Sequence, residues 1–81
     1  MLEIKYRWGD EMVVSTTTPI LIRNWRNKAI SNTKYFRFTP KNKIIEVFPC
    51  DANGIRIAHI SIIKAKDYDK AMEMLDDYAL S

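Results

Sequence analysis

Thr18-Pro19-Ile20-Leu21-Ile22-Arg23-Asn24-Trp25-Arg26-Asn27-Lys28-Ala29-Ile30 decides the fold, because it can be read in two ways. Thr18 followed by Pro19 has the form of an N-cap with proline at the first helical position. From there Leu21, Ile22, Trp25 and Ala29 fall on one helical face, and Arg23, Arg26 and Asn27 on the other. This spacing predicts a helix from Pro19 to about Ile30. The rival is a strand through Ile20-Leu21-Ile22, a short run rich in β-branched residues.

Upstream, Leu2, Ile4, Tyr6 and Trp8 alternate with Glu3, Lys5 and Arg7, the period of a half-buried strand. A second strand is expected from Met12 to about Thr17. Gly9-Asp10 suits a two-residue II′ turn between them. A three-residue loop would instead set Trp8 opposite Met12 and Tyr6 opposite Val14, aligning the apolar sets. Register follows the buried face, which favours the longer loop. Downstream, Tyr35–Thr39 and Ile44–Phe48 read as strands joined by Pro40-Lys41-Asn42-Lys43, with proline placed for a type I turn. Asn53-Gly54 is a hairpin signal, and a last strand is expected from Ile55 to Ile63. Its alternation breaks, since Ile55 and Ile57 share one face and Ile60 and Ile62 the other. A bulge near Ala58-His59, or burial on both sides, would reconcile them.

The final helix is the clearest element. Asp67 is placed to cap it, and Tyr68, Ala71, Met72, Leu75, Tyr78 and Ala79 form its apolar stripe. The expected fold is one small α+β domain over residues 1–81, in the order ββαβββα. It has a mainly antiparallel five-stranded sheet with two helices packed on one face. From Pro19 to Leu80 the expected order αβββα is similar to that of the double-stranded-RNA-binding domain. Lys64 and Lys66 stand before the second helix, loosely where that family carries basic residues. The tip Pro40-Lys41-Asn42-Lys43 lacks the family's histidine-bearing loop motif, and the second helix is acidic where it should approach phosphate. The resemblance is one of topology and carries no function over.

Charge is segregated along the chain. Between Glu11 and Glu46 there is no acid, while Arg23, Arg26, Lys28, Lys34, Arg37, Lys41 and Lys43 all fall there. Asp67, Asp69, Glu73, Asp76 and Asp77 crowd the other end against Lys70. The net charge of +3 hides this polarity, and partners respond to the local field. Clustered cations attract phosphates, and Lys34-Tyr35-Phe36-Arg37-Phe38 interleaves them with aromatics that stack bases in single-strand readers. On a strand, Tyr35 and Arg37 oppose Phe36 and Phe38, so at least one aromatic pair belongs to the core. The candidate nucleic-acid residues are Arg23, Arg26, Lys28, Lys34, Tyr35, Arg37, Lys41 and Lys43, within a basic segment spanning 19–45. On the last helix, Asp69, Glu73, Asp76 and Asp77 form a face suited to a basic protein partner. Asp76 and Asp77 lie where the helix dipole disfavours acids, so helix stability does not account for them.

Catalytic signals are weak. His59 and Cys50 are single, so no catalytic pair, zinc set or disulfide is expected. Gly9 and Gly54 stand apart and form no phosphate loop. No cofactor or metal is expected, and the chain is not expected to be an enzyme. Nor is any apolar run long enough to span a membrane, and Met1-Leu2-Glu3-Ile4-Lys5 is not a signal peptide, so the cytoplasm is the expected compartment. The function expected is non-catalytic macromolecular binding. A protein partner, itself a nucleic-acid-handling complex, is narrowly favoured over direct nucleic-acid contact. A stoichiometric inhibitor from a phage or mobile element fits this size and composition, and a homo-oligomer is compatible with it.

Overall fold

The computed structural model describes residues 2–80. Its strands are β1 (Leu2–Trp8), β2 (Glu11–Arg23), β3 (Ala29–Lys41), β4 (Ile44–Cys50) and β5 (Ile63–Ala65), followed by the helix α1 (Tyr68–Leu80). The strands form one sheet in the order β1-β2-β3-β4-β5, and every neighbouring pair is antiparallel. Small size, a five-stranded antiparallel sheet and a C-terminal helix are as expected. The helix expected from Pro19 to about Ile30 is absent: the order is βββββα, and the likeness to the double-stranded-RNA-binding domain loses its first helix.

Residues 19–30 form the end of one strand, a loop and the start of the next. Ile20 and Ile22 are buried, whereas Leu21 is 45% exposed and Arg23 is exposed, which is a period of two. The helical stripe fails because Leu21, Trp25 and Ala29 all face solvent. Pro19 does not oppose the strand. Thr16, Thr17, Thr18 and Pro19 together stand across from Lys34 in an irregular stretch of the β2–β3 ladder, and β1 ends opposite Thr16. A proline there removes no ladder hydrogen bond. The Thr16 hydroxyl donates instead to the Thr18 carbonyl at 2.6 Å, a local bond of the kind that competes with helix.

This irregular stretch also bends the sheet. β3 has 13 residues, which would span roughly 40 Å if straight. The longest dimension of the molecule is only 33 Å. Beyond the register break, β2 and β3 continue as a two-stranded ribbon. Its Ile20 and Ile22 join the same cluster as Met12, Val14, Phe36, Phe38, Ile45, Val47, Ile63, Ala65, Ala71 and Leu75. The ribbon therefore curls over the core that α1 covers. Asp67 caps α1 as expected, its Oδ1 accepting the Lys70 N–H at 2.7 Å.

Two turns and one strand differ from expectation. Gly9-Asp10 makes a two-residue turn, and Trp8 faces Glu11 rather than Met12. The phase is repaired inside β1: Ile4 pairs with Val14 and Tyr6 with Val13, leaving Lys5 as a bulge. Leu2 packs on the helix-side core, while Tyr6 and Trp8 turn to the opposite face. In the β3–β4 connection, β3 runs through Pro40 and Lys41, and the turn is Asn42-Lys43 with φ of 52° and 68°. Both central residues are left-handed, which makes the turn type I′ and not type I. The expected strand Ile55–Ile63 is mostly loop. Only Arg56 bridges to Cys50, and β5 starts at Ile63. The broken alternation belonged to a segment that wraps the second face of the sheet.

Candidate functional site

The ribbon ends in the five-residue loop Asn24–Lys28, enclosed by the pair Arg23 and Ala29. Its backbone is held by its own side chains. Asn24 Oδ1 accepts the N–H groups of Arg26 at 2.9 Å and Lys28 at 3.0 Å. Asn24 N–H donates to the Lys28 carbonyl and Asn27 N–H to the Asn24 carbonyl, each at 2.9 Å. Asn27 takes the left-handed conformation at φ 63°, which asparagine tolerates better than most residues. Arg23 Nη1 donates to the Asn27 carbonyl at 2.9 Å. The loop is ordered by polar bonds, so the apolar Trp25 is not what holds it.

Trp25 is 86% exposed. The Arg26 guanidinium lies 4.5 Å from the centre of its ring, a cation–π contact. Arg26 thus lies against an indole whose remaining surface is open, and Arg23 and Lys28 flank it along the same loop. The sequence assigned Trp25 to a buried helical stripe and left it out of the candidate set. The signal that would have found it is the pair Asn24 and Asn27 flanking Trp25-Arg26, since asparagine favours turns.

The basic segment does not form one patch. Arg23, Arg26 and Lys28 gather at the ribbon tip. Lys41 and Lys43 lie at the opposite end of β3, in and beside the Asn42-Lys43 turn. Lys34 is exposed between them, at the register break. Arg37 and Tyr35 are half-buried. Phe36 and Phe38 are fully buried, so that aromatic pair is core.

Arg37 is committed to structure. Its Nε–H donates to Glu11 Oε1 at 2.6 Å, and its Nη1 donates to the Gly54 carbonyl at 3.0 Å. Its guanidinium also lies 5.0 Å from the Trp8 ring centre. The bond from Arg37 holds the Glu11 carboxyl below the usual glutamate range, with a further contribution from the Thr39 hydroxyl at 2.8 Å, against the opposing effect of burial. Around them, Tyr6 and Trp8 stack with centres 5.1 Å apart, and the Tyr6 hydroxyl donates to the Ala52 carbonyl at 3.2 Å. This is a second, smaller core between the sheet and the 51–62 loop.

On α1, Asp69, Glu73 and Asp77 are exposed and Asp76 is half-buried. Glu73 meets Lys70 at 3.3 Å. Asp76 borders a shallow recess with Leu2, Met72 and Glu73, so the acids do not form one uniformly open stripe. Cys50 is buried at the end of β4, and burial, then the nearby Asp51 charge, pushes its thiol up to about 12. His59 is exposed in the 51–62 loop, where a strand was expected. No helix among the described residues is long and apolar enough to cross a membrane. No protein-family model, curated protein or solved structure matches this chain.

Proposed function

We propose that the protein is a non-catalytic macromolecule-binding protein that holds single-stranded nucleic acid at the tip of its β2–β3 ribbon. The observation that carries this reading is Trp25, 86% exposed beside Arg26 on a loop fixed by its own hydrogen bonds. An unpaired base has a π-face to stack on the open indole, and Arg23, Arg26 and Lys28 supply charge for the adjoining phosphates. A pre-ordered loop loses little conformational entropy when it binds.

The test is a salt titration of binding to a labelled oligonucleotide, with wild type and Trp25→Ala. The substitution should weaken binding roughly tenfold to a hundredfold, as expected for the loss of one stacked base. Its effect on stability should stay within about 0.5 kcal/mol, as for other exposed changes. With three cations at the tip, the log–log salt slope should be roughly −2 for a single strand. Unchanged affinity in Trp25→Ala would remove the tip from the interface. A much steeper slope would bring in Lys34, Lys41 and Lys43 as well.

A second reading rests on α1. Asp69 stands in its first turn, where an acid suits the helix dipole, but Asp76 and Asp77 stand near the other end, where an acid does not. Asp69 and Glu73 are exposed, and Asp76 rims an apolar recess, an arrangement that supports docking on a basic protein. A stoichiometric inhibitor of a nucleic-acid-handling complex is the form this reading takes. Capture experiments with and without nuclease separate the two. A partner that survives nuclease and is lost with Asp69→Asn/Glu73→Gln favours the helix, and one lost with nuclease favours the tip.

A further inference from the structure

On the face of the sheet opposite α1, a cleft of about 420 Å³ opens between the ends of β3 and β4, β5 and the 51–62 loop. Phe48, 6% exposed, forms part of its lining. The Arg56 guanidinium stands over this ring, with Cζ 3.8 Å from the ring centre. One of its Nη groups donates to Thr39 Oγ1 at 3.3 Å, while Nε–H is buried with no partner. An unsatisfied buried donor is costly, and a guanidinium offers five donors in a rigid fork. Arg56 is thus held in place by an aromatic face, with most of its hydrogen-bonding capacity unused by the fold.

The surrounding charge has one dominant sign. Lys41 and Lys64 flank the cleft and His59 lies on its wall, against the carboxylate of Glu46 in the lining and that of Glu11 behind Thr39, which feels the Arg56 charge. Glu46 is the register partner of Lys64 across the β4–β5 ladder, so its charge faces a cation of its own. A carboxylate ligand would bring one negative charge and two acceptor oxygens to this set. A phosphate monoester brings nearly two charges and three strong acceptors, which better matches a fork plus two ammonium groups. The volume exceeds what a bare phosphate needs and falls in the range of small-ligand sites.

We propose that this cleft binds a phosphate monoester, with Arg56 as its fixed fork and Lys41 and Lys64 as flanking charges. The ester is carried either by a free nucleotide or by the 5′ end of a strand. The site is separate from the ribbon tip, which lies at the far end of β3, and does not depend on the tip's role.

The test follows the Arg56 Nε–H and His59 side-chain signals by heteronuclear NMR at constant ionic strength. Inorganic phosphate, AMP and adenosine are titrated in turn, with chloride as the control. Phosphate and AMP should each give saturable shifts at Arg56, AMP with the higher affinity, and adenosine none. Lys41→Gln/Lys64→Gln should weaken AMP binding roughly tenfold, the sum of two modest charge contributions. Both lysines are exposed, and the same spectra report whether the variant is folded. Trp25→Ala should leave these titrations unchanged, which keeps the result distinct from that of the tip. A shift with a 5′-phosphorylated oligonucleotide and not with its unphosphorylated form assigns the ester to strand ends. A shift with AMP and with neither oligonucleotide assigns it to a free nucleotide. The absence of a saturable Arg56 shift with any phosphate, or an equal response to adenosine or chloride, overturns the proposal.

Discussion

Arg37 reaches across the β2–β3 ladder to Glu11, Nε to Oε1, over 2.6 Å. Both side chains are about three-quarters covered, at 24% and 28% exposure. The pair therefore lies between an exposed ion pair, which contributes little, and a buried one whose desolvation cost is large. Glu11 also accepts from Thr39. The carboxylate thus joins two side chains of β3 to the first residue of β2, beneath the loop that closes the second face.

Glu11 makes stability depend on pH. Its folded-state pKa is depressed, chiefly by the bond from Arg37. Its stabilisation is therefore present above the unfolded glutamate pKa and is lost as pH falls through the lower folded value. Glu11→Gln should cost about 1–2 kcal/mol at neutral pH, a charge-assisted bond discounted for partial exposure. The difference from wild type should shrink steadily below about pH 4. Urea denaturation across that pH range measures it, and a constant difference would mean that the charge is not the source.

Gly54 cannot be replaced cheaply. It sits at φ 85°, and a β-carbon there would come within 2.9 Å of Tyr6 Oη and 3.2 Å of Trp8. Gly54→Ala should therefore lose about 2 kcal/mol or more, combining left-handed strain with overpacking. If the loss were only a few tenths, the loop would be free to lift from the Tyr6–Trp8 stack.

Lys43 is the converse case. It holds φ 68° in a type I′ turn where glycine is favoured. Lys43→Gly should raise stability by about 0.5–1 kcal/mol, as strain relief outweighs the added chain entropy. Thermal melting checks the sign, and a lower midpoint would refute the expectation.

Leu75 is fully buried within the cluster joining α1 to the sheet. Leu75→Ala should cost about 2–4 kcal/mol in chemical denaturation. That is a large share of the stability of a domain this small. A loss under about 0.5 kcal/mol, the range of surface changes, would show that the helix is not docked through this residue.

Cys50 should resist thiol reagents in the native state at neutral pH. Its thiol is buried and pushed up to about 12, whereas only the thiolate reacts. Labelling should become fast in denaturant, and its native rate should track opening of the 51–62 loop. Rapid native labelling would place the sulfur at the surface.

The elements legible in the sequence were those with an unbroken period and a local cap. The stripe around Leu75 and the cap at Asp67 gave α1, and the alternations gave β1, β4 and the centres of β2 and β3. The failures share a cause. Ile20 and Ile22 are inward residues of a strand, but Leu21, Trp25 and Ala29 happen to repeat at helical spacing, and Thr18-Pro19 imitates a cap. What overrode that imitation was a long-range event, the burial of Ile20 and Ile22 in the cluster that also holds Phe36 and Leu75. The bulge at Lys5 was equally hidden, because bringing Tyr6 and Trp8 to the second face has value only once Gly54 and Arg37 are there to meet them. For the same reason the basic segment looked continuous. Its cations are close in sequence, yet β3 separates them by its whole length.

Each strand of the sheet pairs only with its neighbours in the chain, and this sets an order of assembly. No pairing has to wait for a distant segment, so loop-closure entropy is met in small steps. During synthesis, β1 through β4 can zip in the sequence in which they emerge, and α1, which follows them, seals the apolar face. Until α1 arrives, that face stands open to water. The interval before its docking is when the newborn chain is most exposed to aggregation, and a truncation before Tyr68 would prolong that interval indefinitely.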